Sequence, residues 1–309
     1  MDMLNNDLIE SIVLCFGAQI GKTEAELNMI GFALHQSKAP VMMVYPTDML
    51  AKFNSEKRVQ PMITNTEPLA NMYNENASSK LELNFTTGNY MVLSGANSPS
   101  SLASRAIKYV FFDEVDKYPV FSGKEANPIK LATERTKTFV DAKHVMVSTP
   151  TVENGNIWTA FKQAHAQKEY YVPCPHCGEY QKLVFKQIKW PDEAKGNKDR
   201  IRDTAYYECV HCKKAIHDKH KMDMLRNGEW RTENEPDCRV RSVGYHLSSL
   251  YSPWIAFGKV AYEFFTSKDF PDQLMNFINS WLAEPWRSTK TKSTQTLHFT
   301  ESTYDRGVV

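Results

Sequence analysis

The sequence predicts an α/β fold: a central, mostly parallel sheet covered on both faces by helices, interrupted by a small zinc-ribbon-like module and followed by a helical C-terminal segment. Three observations carry this. Short apolar runs alternate with helical patterns over residues 12–147, as strands buried on both faces require. A glycine-lysine-threonine turn follows the first run and opens a helix. Two CxxC pairs, Cys174/Cys177 and Cys209/Cys212, are separated by residues 178–208.

Taken in order, residues 12–16 form the first strand. Residues 23–37 read as a helix, with an apolar face through Ala25, Leu27, Ile30 and Leu34. Residues 41–45 are a continuous apolar run, the mark of a buried strand. Residues 81–85 and 90–93 pair as a hairpin around Thr87, Gly88 and Asn89. Residues 109–112 and 144–147 add two more buried strands. Composition changes near Pro173: residues 173–230 are rich in Cys, His, Lys and Tyr, with a polar stretch over 192–203. That reads as an inserted module after a core of residues 1–172. Residues 231–289 are aromatic-rich, mostly helical beyond Pro253, and complete the core. Residues 290–309 are rich in Thr and Ser and read as a linker.

Composition narrows the function. The chain has 309 residues, enough for about two domains. Apolar residues make up 42% and charged residues 24%, a globular balance that argues against disorder. The net charge is +1, so nucleic acid must be met by local patches. No run approaches the ~20 apolar residues of a membrane span. Residues 1–21 contain no Lys or Arg, unlike the start of a secretory signal. The expected location is the cytoplasm, where reduced cysteines in CxxC pairs read as metal ligands.

The stretch Phe16, Gly17, Ala18, Gln19, Ile20, Gly21, Lys22 and Thr23 sits between strand and helix, the context of a phosphate-binding P-loop. Its backbone amides would cradle phosphates, Lys22 would reach the β/γ-phosphates, and the Thr23 hydroxyl would bind Mg²⁺. The match is partial, because Phe16 stands where the pattern has glycine; the plain alternative is an ordinary turn. A second element supports the loop. The strand at 109–112 runs into Asp113 and Glu114. An Asp at such a strand tip holds Mg²⁺, and a following Glu serves as general base for water. The third element is Ser148, Thr149 and Pro150 at the end of another strand, placed to sense a γ-phosphate and couple it to movement as in helicase-like ATPases. Tyr45, Pro46 and Thr47 form a turn of the kind that faces nucleic acid in such motors.

The four thiolates of Cys174, Cys177, Cys209 and Cys212 suit tetrahedral Zn²⁺ on two opposed knuckles. His176 and His211 lie inside the knuckles and are expected beside the thiolates or exposed. Cys15 and Cys238 are unpaired core or surface fillers. Lys213, Lys214, Lys219 and Lys221 outweigh Asp218; they either meet phosphates or form a solvated face.

Several stretches in succession carry a resemblance. They are Gln19-Ile-Gly-Lys-Thr-Glu24, Tyr45-Pro-Thr-Asp48, Gln60-Pro-Met-Ile63, Asn97-Ser-Pro-Ser100 and Val110-Phe-Phe-Asp-Glu-Val-Asp116. Ser148-Thr-Pro-Thr151, Cys174-Pro-His-Cys-Gly178, Tyr251-Ser-Pro-Trp254 and Phe277-Ile-Asn-Ser-Trp-Leu-Ala-Glu-Pro-Trp286 continue it. The succession covers nearly the whole chain and resembles the large terminase subunit of tailed bacteriophages, of the GpA-like type. The resemblance implies a helicase-like ASCE ATPase that packages double-stranded viral DNA into a procapsid. It implies ATP, Mg²⁺ and Zn²⁺. As partners it implies DNA, the small terminase subunit, the portal protein and further copies of the chain, at the procapsid in the host cytoplasm.

Three departures from the family pattern stand out. Ala18 occupies the place of a loop arginine, which leaves Arg105 and Arg135 as candidates for the charge-stabilising arginine, in this chain or on a neighbouring subunit. Only about sixteen residues precede the loop, where the family has a longer segment. The family's nuclease domain is expected to begin only beyond Val309, making this the motor half alone. Two rival readings remain. One is another helicase-like DNA translocase. The other is a catalytically silent, zinc-stabilised DNA-binding or assembly remnant.

Overall fold

The computed structural model describes residues 2–122 and 126–287. The chain enters with β1 (Ser11–Phe16), β2 (Val41–Tyr45), β3 (Glu82–Asn84), β4 (Tyr90–Gly95), β5 (Tyr109–Asp113) and β6 (Lys143–Ser148). It continues through β7 (Ala166–Pro173), β8 (Tyr180–Lys182), β9 (Ile188–Lys189), β10 (Tyr206–Glu208) and β11 (Ala215–Ile216). The last two strands among the described residues are β12 (Glu229–Thr232) and β13 (Ser242–Leu247). A ten-stranded sheet has the order β12-β7-β13-β1-β6-β5-β2-β4-β3, with β8 paired to β7. Every neighbour from β7 across to β4 is parallel. Only the margins are antiparallel.

Strand alternation divides the core. Ile12, Leu14 and Phe16 point to one face and pack with Leu27, Ile30 and Leu34 of the helical stretch after β1. Val13 and Cys15 point to the other, against Ile157 and Phe161. The helix after β1 spans Lys22–Phe32 and continues as a wider turn over Ala33–Ser37. The expected hairpin is present as β3 and β4, in antiparallel register with Leu83 opposite Met91. Among the described residues, no helix is long and apolar enough to cross a membrane.

Two features differ from the reading of the sequence. The C-terminal segment is not only helical: it inserts β13 between β1 and β7, with Val13 beside Gly244. The cysteine-rich module is not a free-standing insert either. Its first knuckle crowns the β7–β8 hairpin of the main sheet, and β12 returns to pair with β7. Only β9, β10 and β11 form a separate sheet. The expected linker at 290–309 lies outside the described residues.

A third apolar cluster joins the module to the C-terminal helices through Tyr207, Met224, Phe257, Phe264 and Phe277. The contact is tight at Gly258, on helix Phe257–Ser267: a Cβ there would meet the Arg202 carbonyl oxygen at 1.9 Å. Backbone cannot yield as a side chain can. Gly258→Ala is therefore expected to destabilise the chain by about 2–3 kcal/mol in urea unfolding; an unchanged midpoint would show that this helix and the helix Lys198–Thr204, which carries Arg202, separate freely.

Candidate active site

Because β6 pairs in parallel with both β1 and β5, the C-terminal ends of all three lie side by side. They open into a cleft of about 730 Å³. Residues 18–24 line it together with Glu114, Thr149, Trp254 and Ser280. The turn after β1 needs left-handed backbone at Gln19 (φ 56°) and Gly21 (φ 82°). Gly17 is demanded by a neighbour instead: a Cβ there would come within 2.9 Å of the Ser280 carbonyl oxygen. Two turn amides are held by the C-terminal segment, Gly17 N–H to the Leu247 carbonyl at 2.8 Å and Ala18 N–H to that of Ser280 at 2.7 Å.

Lys22 is the hub. Its Nζ donates to Thr149 Oγ1 at 2.7 Å and pairs with Glu114 Oε1 at 2.9 Å. Lys117 pairs with the other Glu114 oxygen at 3.1 Å. Glu114 adopts left-handed backbone (φ 54°), which costs a non-glycine residue about 1–2 kcal/mol and bends the chain out of β5. Burial pushes the Glu114 carboxyl up, but the charges and hydrogen bonds of Lys22 and Lys117 outweigh it and hold the group below its ordinary range. Asp113 behaves oppositely. It is buried, and its Oδ1 has no hydrogen-bond partner. Burial first, then the Glu114 charge, push it up to about 6. An orphaned carboxylate oxygen at a strand tip is suited to a hard divalent cation, which would lower that pKa again. Unlike Glu114, Asp113 is not among the residues that line the cleft. Glu26, one turn along the helix from Lys22, is also wholly buried with both oxygens unpartnered. Burial and the Asp113 and Glu114 charges push it well up, favouring the neutral acid.

The third strand end is wired to the second by Asp116. Its Oδ2 accepts from Thr151 N–H and Oγ1, both at 2.8 Å, and its Oδ1 from Ile157 N–H at 2.7 Å. Ser148 Oγ accepts from Asp116 N–H at 3.4 Å. The C-terminal segment closes the same knot: Asn279 Nδ2 and Trp286 N–H both donate to the Thr151 carbonyl at 2.8 Å. The Tyr45-Pro46-Thr47 turn is occupied structurally. Tyr45 is buried, and Thr47 Oγ1 caps helix Asp48–Asn54 by accepting from Leu50 N–H at 3.3 Å. Asp48 then accepts from Gly95 N–H at 2.8 Å and from Ser98 Oγ, joining two of the stretches that the sequence kept separate.

Neither candidate arginine reaches the cleft. Arg105 makes a two-pronged pair with Glu82 at 2.6 and 2.8 Å. Arg135 donates to the Ala103 carbonyl at 3.2 Å. The arginine that lines the cleft is Arg58, paired with Glu24. The sequence offered no local mark for it, because it arrives on a helical turn from between β2 and β3.

A second site lies in the module. The Sγ atoms of Cys174, Cys177, Cys209 and Cys212 all fall within 4.8 Å of one another, the one such group of three or more ligating side chains among the described residues. Cys174 to Cys212 and Cys177 to Cys209 are each 3.9 Å. A tetrahedron with sulfur ~2.3 Å from its centre has edges of about 3.8 Å, so the thiols already stand at a metal's spacing. The knuckles repeat one geometry. His176 N–H donates to Cys174 Sγ and His211 N–H to Cys209 Sγ, each at 3.4 Å. Gly178 and Lys213 follow in left-handed backbone. Both histidines are exposed and point away from the sulfurs to carbonyls of the opposite hairpin, Ala215 and Tyr180. The lysine patch is smaller than its sequence: Lys213, Lys214 and Lys219 are exposed, but Lys221 is buried. Cys15 is buried and Cys238 exposed.

Comparison with known proteins adds the following. The family model described as phage terminase large subunit gpA, ATPase domain, matches residues 1–230. The model of the terminase large subunit gpA endonuclease domain matches residues 242–309. This corrects the expectation that nuclease-family sequence starts only after Val309; the match begins at β13, inside the main sheet. The terminase large subunit of Enterobacteria phage P21 is 25% identical over 93% of this chain and 48% of its own length. That of Escherichia phage lambda is 22% identical over 93% of this chain and 48% of its own. The chain thus spans about half the length of these curated relatives. Among solved structures, the large terminase ATPase domain of Thermus phage P74-26 superposes with a TM-score of 0.51 at 16% identity, covering 89% of this chain and 88% of that one, a likeness of fold.

Proposed function

The chain belongs to the gpA ATPase-domain family of phage terminase large subunits, and from that premise we propose that it is the ATP-hydrolysing motor of a terminase, driving double-stranded viral DNA into a procapsid. The observation that supports this best is the contact of Lys22, Glu114 and Thr149 across three adjacent strand ends in one cleft.

In this reading the free amides of the P-loop and Lys22 bind the β- and γ-phosphates of ATP. Thr23 and, from the strand tip, Asp113 would hold Mg²⁺, which would supply charge neutralisation at the phosphates. The γ-phosphate draws Lys22 away from Glu114. Glu114 then orients a water and takes its proton as the oxygen attacks the γ-phosphorus. The bond to the leaving oxygen breaks, giving ADP and phosphate. Arg58 supplies the cationic side chain that position 18 lacks. Loss of the γ-phosphate is felt by Lys22, and so by Thr149, Ser148 and Pro150; Asp116 passes the change to helix Asn156–Gln163. The four cysteines hold Zn²⁺, which braces the module. DNA, the small subunit, the portal and neighbouring copies of the chain are the partners, met in the host cytoplasm.

ATP turnover by the purified chain, with and without linear double-stranded DNA and beside Lys22→Ala, tests the motor. Turnover that rises with DNA and is lost in the variant is expected. A folded chain with no turnover and no ATP binding would sink the motor reading and favour a zinc-braced assembly module.

A further inference from the structure

Part of the cleft's lining is built from residues that no phosphate motif explains. Trp254 lines the same cavity as Lys22 and Thr23, yet 78% of it is exposed. Large aromatic side chains normally bury most of their surface, so this indole stands out. Its backbone is far from loose. Just after it, buried Lys221 donates its Nζ to the Ile255 carbonyl, and Phe257 N–H donates to Asp218 Oδ1 at 2.9 Å. Lys221 also sits 4.7 Å from the Phe257 ring centroid. Five residues before it, the Ser249 hydroxyl lies 3.1 Å from the Ala18 carbonyl and 3.2 Å from that of Ser280. The segment is thus pinned to the P-loop on one side and to the cysteine module on the other, while its indole is left uncovered.

The phosphate end of the cleft accounts for Lys22 and the turn amides. A triphosphate gives an indole nothing to pack on. A cleft of about 730 Å³ is also of the size that holds a whole small ligand. What fits beside a phosphate chain, against a flat apolar face and near the exposed amide of Asn276, is a planar ring with a hydrogen-bonding edge. We propose that Trp254 is the shelf on which the base of the bound nucleotide stacks, with Asn276 facing the base edge. The proposal rests on the reading of the cleft as a nucleotide site. It also gives the module a task, because Lys221 and Asp218 hold the shelf in place before the ligand arrives, so that little ordering is left to binding.

The test compares two ligands by calorimetry, Mg·ATP and Mg·tripolyphosphate, on the full chain and on Trp254→Ala and Trp254→Phe. Tripolyphosphate reads the phosphate end alone. Trp254→Ala is expected to weaken Mg·ATP by about tenfold, the order of one base–aromatic stack, and to leave Mg·tripolyphosphate unchanged. Trp254→Phe restores the ATP affinity to within about threefold, since a phenyl ring still stacks. Equal ATP affinity in all three proteins, with tripolyphosphate bound normally, overturns the shelf and leaves the phosphate site standing. Equal weakening of both ligands by Trp254→Ala overturns it too, by showing that the indole shapes the cleft and not the base contact. Failure of the unaltered chain to bind either ligand overturns the nucleotide reading and the shelf with it.

Discussion

Glu114→Gln is expected to lower ATP turnover by about 10²–10⁴-fold, the range lost with a general base, while Mg·ATP still binds. The amide keeps the shape of the side chain but cannot accept the proton of the attacking water. The structure adds a second expectation. Lys22 is paired to Glu114 at 2.9 Å in the free protein, so ATP must compete with that pair for the lysine. Removing the carboxylate charge releases Lys22, and Mg·ATP affinity in Glu114→Gln should equal or exceed that of the unaltered chain. Single-turnover hydrolysis and equilibrium binding separate the two effects. Normal turnover would remove Glu114 from the base role, and loss of binding would show that the pair holds the turn after β1 in shape.

Cys209→Ser is expected to abolish stoichiometric zinc and to cost on the order of 5 kcal/mol of stability, part of the ~10–16 kcal/mol that a structural zinc site contributes. The effect should spread beyond the module. Cys174 directly follows β7, the strand that pairs with β13, and β12 returns from the module to the main sheet. Trp230 of β12 stacks on Phe16, the last residue of β1 before the cleft-lining turn, with ring centroids 6.4 Å apart. Loosening the knuckles therefore reaches the strand from which the cleft-lining turn departs. Elemental analysis should give one zinc per chain in the unaltered protein and less than about a tenth in the variant, alongside a lower urea midpoint. Cys238→Ser, at an exposed cysteine outside the cluster, should change neither. Full zinc occupancy in Cys209→Ser would dismiss the four-thiolate site.

The strands that position the chemistry were legible because they are buried on both faces. Val41–Tyr45 and Tyr109–Asp113 are buried at every position, and a strand buried on both faces leaves an unbroken apolar run in the sequence. Ala166–Pro173 and Ser242–Leu247 left no such mark. The first is mostly half-exposed and carries Gln, Lys and Glu. The second contains Gly244, where a Cβ would meet the Phe161 ring at 2.7 Å; the residue is chosen by its neighbour and says nothing of strand propensity. The arginines show the same limit. Arg105, Arg135 and Arg58 look alike in sequence, and only packing sends the first to Glu82, the second to a carbonyl and the third to the cleft.

What the sequence determined by itself is the chemistry written in adjacent residues. A strand, a glycine turn and Lys22-Thr23 place a lysine at a helix start. A strand ending in Asp113-Glu114 places two acids at a tip, and each CxxC folds its own knuckle. These contacts close within a few residues, so local pattern suffices. Tertiary structure alone decided the walls of the cleft and the path between its parts. Ser249 reaches Ala18 across 231 residues, Lys22 reaches Thr149 across 127, and the Ile255 carbonyl next to Trp254 is held by a lysine of the cysteine module. Parallel pairing brings such distant segments together, and the residues that meet carry no trace of their partners until the sheet has formed.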